Sequence, residues 1–433
     1  MVVGCVIRTI VLGRTEGLTK MRKRVTLLIA ALLFSFTLDS MALDWPHFRG
    51  PNRNGVSAET GLLKQWPTDG PKLLWSVEGL GLGYSSITTC KGTIYVTGMN
   101  EENQGDLIAL DLAGKEKWKT PYGPEWTGGY KGVRCTPNVV DGHIYIRTGV
   151  GRVVCLDANT GELKWDVDTE ARFEGKTAGG WGYADQTLIV DDLVICTPGG
   201  PDASVVALHK KTGKTAWTTN GLSEPSNFCA PVLVPCGSTR QIVTILSQSI
   251  VGIDPVRGKT LWQQVYSGRN INPNSPLYAD GYLFVTSGYD DECIKLQLSD
   301  DGKKVDVKWR DKTLDTHHGG VVLVDGYLYG SNWLNNSKGQ WVCLDWETGK
   351  LQYETAWEGN KGSIITTDGM LYCYGEDGIV ALVKPDPKEF KIVSSFKVPQ
   401  GSHEHWAQPA ISDARLYIRH GDALMVYDIK DSS

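Results

Sequence analysis

The sequence predicts an all-β fold, an eight-bladed β-propeller with four antiparallel strands in each blade. Three observations support this prediction. A similar unit recurs along the chain, most copies end in a turn followed by an aromatic residue, and the two ends of the chain carry complementary fragments of a blade. The composition agrees, because 50 Gly, 15 Trp and 17 Tyr suit a chain with many tight turns and aromatic sheet faces.

The repeating unit opens with a turn dipeptide and an apolar strand, as in DGHIYIRTG from Asp141. Successive openings lie 42 to 50 residues apart, which is the size of a four-stranded propeller blade. Seven blades are the alternative, because two of the units are irregular. The openings are at Lys91, Asp141, Asp191, Ser238, Asp280, Asp325, Asp368 and Asp413.

The end of the unit places a Gly four residues before a Trp, as in Gly161 and Trp165. In several copies an Asp precedes the Gly by four residues, as Asp157 does. We expect the Asp to bind turn amides, the Gly to adopt a left-handed conformation and the Trp to pack against the neighbouring blade. The tryptophans predicted to dock blades in this way are Trp118, Trp165, Trp217, Trp262 and Trp309.

The two ends of the predicted propeller complement each other. Residues 72–77 (KLLWSV) look like the last strand of a blade, and the final unit, from Asp413, lacks that strand. Pairing the two fragments would complete blade eight and leave no open sheet edge. The predicted organisation is an N-terminal extension with a signal peptide over residues 1–42, a lead-in segment over 43–70 and one propeller over 71–433.

The N-terminus has the layout of a secretory signal peptide. Basic residues at 22–24 precede an apolar run over 25–38, and Ser40 and Ala42 suit a cleavage point after Ala42. Cleavage would change the formal charge from -5 to -9. We therefore expect an exported, soluble monomer in the periplasm or outside the cell, which meets a membrane only through its export signal. An uncleaved anchor helix is the alternative, and the charge argues against binding nucleic acid.

Nine of the ten Cys residues follow the predicted cleavage point, and most lie in apolar strand runs. Buried free thiols are the expected state, because no C-x-x-C and no zinc-ligand spacing occurs. One disulfide between Cys229 and Cys236 is the alternative.

The docking segments resemble those of a known family. LDANTGELKW (156–165), IDPVRGKTLW (253–262) and LDWETGKLQY (344–353) are similar to the tryptophan-docking repeat of pyrroloquinoline-quinone (PQQ)-like propellers, and WPHFRGPNRNG (45–55) resembles the lead-in of exported planctomycete-type members. That superfamily includes quinoprotein dehydrogenases and the propeller lipoprotein of outer-membrane assembly. The resemblance implies the fold, but it does not imply that quinone is bound.

The loops that enter the innermost strands converge on one mouth of the central channel of a propeller. Here these loops are the least repetitive parts of the chain, so a binding site in this funnel is predicted. The His residues among them have structural, binding or metal-ligating roles as open alternatives, and no metal site is predicted. The candidate ligand-binding residues are Arg134, Trp181, Tyr183, Asn227, Asn274, His317, His318, Lys361, His405 and Trp406.

The first functional hypothesis is a binding or scaffold module whose funnel takes a small molecule or a protein partner. An oxidoreductase that uses PQQ with Ca²⁺ on an alcohol or sugar is the second. Quinoprotein dehydrogenases usually carry an adjacent-Cys disulfide, which is absent here, although Asn227, Asn274 and Asp185 offer oxygen ligands. A carbohydrate-associated protein that uses the funnel aromatics is the third. No catalytic residue and no firm cofactor is assigned.

Overall fold

The computed structural model describes residues 44–266 and 271–432, which form eight four-stranded antiparallel sheets around a central channel. The predicted signal peptide lies outside the described residues. From the inner to the outer strand, the blades are β2 (Thr88–Cys90), β3 (Thr93–Met99), β4 (Gln104–Asp111), β5 (Glu116–Pro124); β6 (Asn138–Val140), β7 (His143–Arg147), β8 (Arg152–Asp157), β9 (Leu163–Asp168); β10 (Leu188–Val190), β11 (Leu193–Cys196), β12 (Val206–His209), β13 (Thr215–Thr218); β14 (Val232–Cys236), β15 (Thr239–Ile245), β16 (Ser249–Ile253), β17 (Thr260–Val265); β18 (Leu277–Ala279), β19 (Tyr282–Val285), β20 (Cys293–Leu298), β21 (Val305–Asp311); β22 (Val321–Val324), β23 (Tyr327–Ser331), β24 (Trp341–Asp345), β25 (Leu351–Thr355); β26 (Gly362–Thr367), β27 (Met370–Gly375), β28 (Ile379–Lys384), β29 (Lys391–Lys397); and β30 (Ala410–Ser412), β31 (Arg415–His420), β32 (Ala423–Asp428), β1 (Lys72–Val77).

Blade eight closes the ring as the sequence predicts. Strand β1 pairs antiparallel with β32, from Lys72 opposite Asp428 to Val77 opposite Leu424. The eight-bladed prediction is confirmed, and the seven-bladed alternative is wrong. A five-residue helix, α1 (Thr169–Phe173), follows β9, and the Asp168 carboxylate caps it by accepting from the amide of Ala171. No helix in the described ranges is long and apolar enough to cross a membrane.

The turn dipeptides lie inside the blades rather than at their openings. Asp141 and Gly142 connect the short inner strand β6 to β7, with φ angles of 50° and 75°. Two successive positive φ angles make the tight hairpin turn that matches the twist of paired strands, and Asp and Gly tolerate them best. The sequence pattern therefore places each blade opening one strand late, because five of the eight inner strands have only three residues and give no clear pattern.

The docking tryptophans pack as expected in most blades. The Trp165 ring covers Gly213 of the next blade so closely that a Cβ there would lie 2.8 Å away, and its Nε1 donates to the Lys210 carbonyl at 2.9 Å. The rings of Trp118, Trp217 and Trp309 cover the equivalent glycines of their neighbours. Trp75 on β1, which was not predicted, closes the circle by covering Gly114.

Trp262 departs from this arrangement. Its ring lies over Gly252 of its own blade, and its Nε1 donates to Gln241 at 2.6 Å. Gly252 has no side chain, so it leaves space on the blade face that the indole fills. The turn glycine of the next blade, Gly302, meets Cys236 and Gln241 instead of the tryptophan.

The apolar core is distributed between adjacent blades. Its largest cluster joins blades seven, eight and one, and it includes Trp45, Leu62 and Trp66 from the lead-in segment. All nine cysteines of the described residues are free, and eight of them are buried, so the disulfide between Cys229 and Cys236 is not formed.

The lead-in segment crosses the channel. Pro46 accepts from the amide of Val139 on blade two. On blade seven, Thr366 accepts from the Ser57 amide and donates its own amide to the Gly55 carbonyl. Between them, the buried Arg53 donates to Asn138 at 2.8 Å, on the side of blades two and three. Arg49 binds carbonyls of blades six and seven. The channel is therefore blocked by the chain itself.

Candidate functional site

A cavity of about 300 Å³ lies at the centre of the ring. Residues just before the inner strands of seven blades line it, and blade seven contributes Glu376 from the turn between β27 and β28. Phe48 of the lead-in segment also lines the cavity, next to the Arg49 that blocks the channel. The cavity is thus a blind funnel, of a size at the lower end of ligand pockets.

Aromatic and imidazole rings form a continuous wall of this funnel, which we call the aromatic arc. Neighbouring ring centroids along it are 4.6 to 6.0 Å apart, within the range of favourable ring contacts. Tyr84 also contacts the arc, 5.2 Å from Trp406. In order, the arc consists of Trp181, Tyr130, Trp406, His318, His317 and Tyr289.

Three aromatic residues of the funnel have left-handed backbone conformations. The φ angles of Tyr130, Phe228 and Tyr289 are 51°, 65° and 71°. Bulky side chains rarely adopt this region, and each such residue costs about 1 kcal/mol or more. These conformations turn the rings towards the same cavity, and strain of this kind is concentrated at functional sites.

The one carboxyl among the cavity-lining side chains of the described residues, Glu376, is matched by its neighbours. Glu376 lies 3.4 Å from Lys361 Nζ and 3.3 Å from His318 Nε2, and its burial raises the pKa of the carboxyl to about 7. Burial also lowers the pKa of His317 to about 4 and that of His318 well below its usual value. Both imidazoles are therefore neutral at pH 7, when each ring offers one donor and one acceptor.

Arg134 lines the cavity, and its guanidinium donates hydrogen bonds to backbone carbonyls. Its guanidinium donates to the carbonyls of Gly129 and Tyr130 at 2.9 Å each, and also to the Trp181 carbonyl. It therefore holds the two loops that carry Tyr130 and Trp181 together.

Five of the ten predicted site residues line the cavity: Arg134, Trp181, His317, His318 and Trp406. The other five lie behind its wall. Tyr183 is buried and donates to the Pro198 carbonyl, and Lys361 supports Glu376. His405 stacks on His420 with centroids 3.6 Å apart.

Asn227 and Asn274 join neighbouring blades rather than face the cavity. Asn274 donates to the Thr316 carbonyl at 2.6 Å and accepts from the amide of Gly320 at 3.1 Å. Asn227 donates to the Leu246 carbonyl and accepts from the Asn272 amide. Buried amides near the axis satisfy backbone groups that no strand pairs.

Several lining residues were missed. Tyr84, Tyr130 and Phe228 lie in loops that the sequence already singles out, and the absence of a strong polar group hid them. Tyr289 and Glu376 come from turns farther along their blades. The clustering of aromatic residues in successive inner loops is the signal that would have identified the first three.

Comparisons with known proteins agree with the fold. The family model described as outer membrane protein assembly factor BamB matches residues 103–336, more than half of the chain. The chain belongs to the BamB family. The resemblance to PQQ-like propellers is thereby confirmed.

Individual relatives of this BamB-family chain are distant. BamB of Burkholderia pseudomallei is 24% identical over 282 residues, which cover 62% of this chain and 68% of that protein. Quinoprotein ethanol dehydrogenase of Pseudomonas aeruginosa is 28% identical over 167 residues, which cover 34% of this chain and only 25% of the dehydrogenase.

Solved structures share the fold of this BamB-family propeller at low identity. BamB from Moraxella catarrhalis superposes with a TM-score of 0.63 at 15% identity, covering 83% of this chain and 99% of that one. Quinohemoprotein alcohol dehydrogenase from Comamonas testosteroni gives a TM-score of 0.66 at 14% identity, covering 90% and 81%. At such identities the likeness establishes the architecture alone.

The residues of this BamB-family funnel do not fit PQQ with calcium. The quinone carries carboxylates that need free cations and the ion needs oxygen ligands. The oxygens of Asn227 and Asn274 are engaged as described, and Asp185 pairs with the buried Arg147 at 2.8 Å. In residues 44–266 and 271–432, no three His, Cys, Asp or Glu side chains are grouped to hold a metal ion.

A buried carboxyl in the loop between β5 and β6 gives a pH-dependent prediction. Glu125 accepts from Tyr122 Oη at 2.8 Å and from the Gly149 amide at 2.7 Å, and burial raises its pKa to about 7. The unfolded chain releases this proton near pH 4.5, so the folded protein loses stability as the pH rises from about 4.5 to about 7.

Replacing Glu125→Gln is expected to remove this contribution. Relative to the wild type, the variant should gain about 2–3 kcal/mol between pH 5 and pH 8. Urea denaturation across that range measures the difference, with the exposed Glu162→Gln as control. A difference that stays constant with pH would contradict the assigned pKa.

Proposed function

We propose that this chain is an exported binding module of the BamB family and that its ligand site is the blind funnel. The observation that carries the proposal is the aromatic arc together with the three left-handed aromatic residues, Tyr130, Phe228 and Tyr289. A wall that only closed the channel would not need strained backbone at three of its rings. The lead-in segment supports the same function, because it gives the funnel a floor.

Export and a monomeric state belong to the proposal. They rest on the basic and apolar segment before Ala42 and on a ring that closes within one chain. The oxidoreductase alternative has less support, because the amides and the carboxylate that offered oxygens to a calcium ion are used inside the fold. BamB of Burkholderia pseudomallei is called an outer membrane protein assembly factor, which is compatible with a binding role for this chain.

A substitution that fills the funnel tests the proposal. Ala184 is half-buried and lines the cavity, so the indole of Ala184→Trp is expected to occupy the ligand space and weaken binding at least tenfold. Ligand-observed NMR with a library of small aromatic and polar fragments measures the loss. Ala113→Trp, in an exposed turn, is the matched control, and circular dichroism checks that both variants fold.

The outcomes are distinct. Loss of fragment binding in Ala184→Trp alone supports the funnel site. Binding that persists in both variants would move the site elsewhere on the propeller. Reduction of a dye by the wild type with PQQ, Ca²⁺ and an alcohol or sugar would replace the binding role with an oxidoreductase.

A further inference from the structure

The funnel offers a ligand little charge, because its charged side chains are engaged with the protein. Arg134 and Glu376 are the charged groups among its lining residues. Arg134 is occupied by three backbone carbonyls, and Glu376 is matched by Lys361, which also donates to the carbonyls of Asn335 and Asn336. A ligand with several carboxylate or phosphate groups would therefore lose its hydration and gain at most one cation, Arg134, whose guanidinium already holds three backbone carbonyls.

Two amides of the lining are also occupied. Gln186 accepts from the amide of Thr136 at 2.8 Å. Gln408 donates to the His318 carbonyl at 2.9 Å and accepts from Arg49 at 2.9 Å. Their side chains shape the wall and offer little to a ligand.

The polar groups left for a ligand are neutral, and they lie on the aromatic arc and on the exposed amide of Asn336. Within the described residues, the phenols of Tyr130 and Tyr289 and the imidazole of His317 make no hydrogen bond with the protein. The ring nitrogens of His318 are buried without a hydrogen-bond partner, apart from the ion-pair distance to Glu376. A phenol and a neutral imidazole each donate and accept, so these groups can pair with a ligand that also donates and accepts.

We propose that the ligand of the funnel is a neutral saccharide. This inference rests on the proposed binding function and specifies the ligand of that site. Sugar rings present flat C–H faces that pack on aromatic rings, and their hydroxyls donate and accept like the groups they would meet. An apolar ligand would cover the same rings but leave the phenols and imidazoles unpaired.

The layout of the arc gives the saccharide a direction. Trp406 lies inside the funnel, 4.8 Å from Tyr130 and 5.1 Å from His318, so it forms the inner stacking surface. Trp181 and Tyr130 are 40% and 49% exposed, which makes them a platform at the rim. A terminal sugar unit fits against Trp406, and the rest of the oligosaccharide leaves the funnel across Trp181.

Isothermal titration tests the inference with neutral trisaccharides of glucose, mannose and galactose, with trigalacturonate, and with PQQ. We expect a neutral trisaccharide to bind and the two anionic probes not to bind. Trp406→Ala should weaken binding at least tenfold because it removes the inner stacking surface. Leu163→Ala, which is 48% exposed on an outer strand, is the control and should have no effect.

The hydroxyl of Tyr289 distinguishes a saccharide ligand from an apolar one, because only a saccharide would form a hydrogen bond with it. Tyr289→Phe keeps the ring and removes its hydroxyl, so it should weaken saccharide binding about three- to tenfold. Tyr327→Phe, a half-buried tyrosine of blade six, is the matched control.

Failure of this inference is distinguishable from failure of the proposed function. No neutral trisaccharide binding at an affinity of about 1 mM or better overturns the inference, and so does equal binding of trigalacturonate or PQQ. If apolar fragments still bind and Ala184→Trp abolishes that binding, the funnel remains the site and only the ligand class is wrong. If Ala184→Trp changes no binding at all, both proposals fall.

Discussion

Trp165→Ala is expected to lower the free energy of unfolding by about 3 kcal/mol, as other large-to-small changes between packed elements do. The indole covers Gly213 of the next blade, contacts Tyr145 and donates to the Lys210 carbonyl. Its removal opens a cavity between blades two and three. The contact is repeated around the ring, so the loss at one seam reports what the docking tryptophans contribute together.

A graded series of variants separates the contribution of indole packing from that of the hydrogen bond to the Lys210 carbonyl. Trp165→Phe keeps an aromatic ring and removes the hydrogen bond to Lys210, and it should cost about 1–2 kcal/mol. Leu163→Ala, exposed on the same strand, should stay within about 0.5 kcal/mol of the wild type. Urea denaturation followed by far-UV circular dichroism measures all three. Equal losses for Trp165→Ala and Leu163→Ala would contradict the docking role.

The fold was predictable because its determinants are local and repeated. Asp157, Gly161 and Trp165 lie within nine residues, and each does what the short pattern predicts: the carboxylate accepts from two turn amides, and the glycine has a φ of 73°. Because the pattern recurs in several blades, the fold prediction does not depend on any single copy. Trp262 shows its limit, because a glycine on the same blade, Gly252, decided where that ring packs.

The site was only half predictable because its residues are defined by partners far away in the chain. Asn274 looked like a ligand-binding residue, yet its amide is fixed by the Thr316 carbonyl and the Gly320 amide, more than 40 residues later. Phe48 reaches the cavity from a segment outside the repeat. Whether a polar group near the axis is free depends on the backbone of the neighbouring blades, which one sequence does not reveal.

Arg49→Met is expected to cost about 3–5 kcal/mol, because it leaves several buried hydrogen-bond acceptors unpaired at about 1–3 kcal/mol each. The guanidinium is buried, and burial lowers its pKa to about 10, so it remains charged at pH 7. It donates to Gln408 Oε1 at 2.9 Å and to the Val321 carbonyl at 2.9 Å. Longer hydrogen bonds reach the carbonyls of Gly319, Ile364 and Asn54. Methionine fills part of the space but leaves these acceptors unpaired.

The close packing of Gly320 against the guanidinium shows that the site of residue 49 fits an arginine. A Cβ on Gly320 would lie 1.9 Å from Arg49 Nη1, and Gly320 has a φ of 75°, so the backbone approaches the guanidinium as closely as glycine allows. Arg49→Lys should therefore give an intermediate loss, because one ammonium cannot reach acceptors spread over blades six, seven and eight.

Arg49→Met also tests whether the lead-in segment closes the channel. Without Arg49, the backbone hydrogen bonds between Gly55, Ser57 and Thr366 lose their nearest anchor. Amide hydrogen exchange at Ser57 and Thr366 should accelerate in Arg49→Met, while the amides of blade four stay protected. Arg257→Met removes an arginine whose side chain is 81% exposed and should change neither stability nor exchange. If Arg49→Met behaves like Arg257→Met, the segment is held by its apolar residues and the arginine is not what blocks the channel.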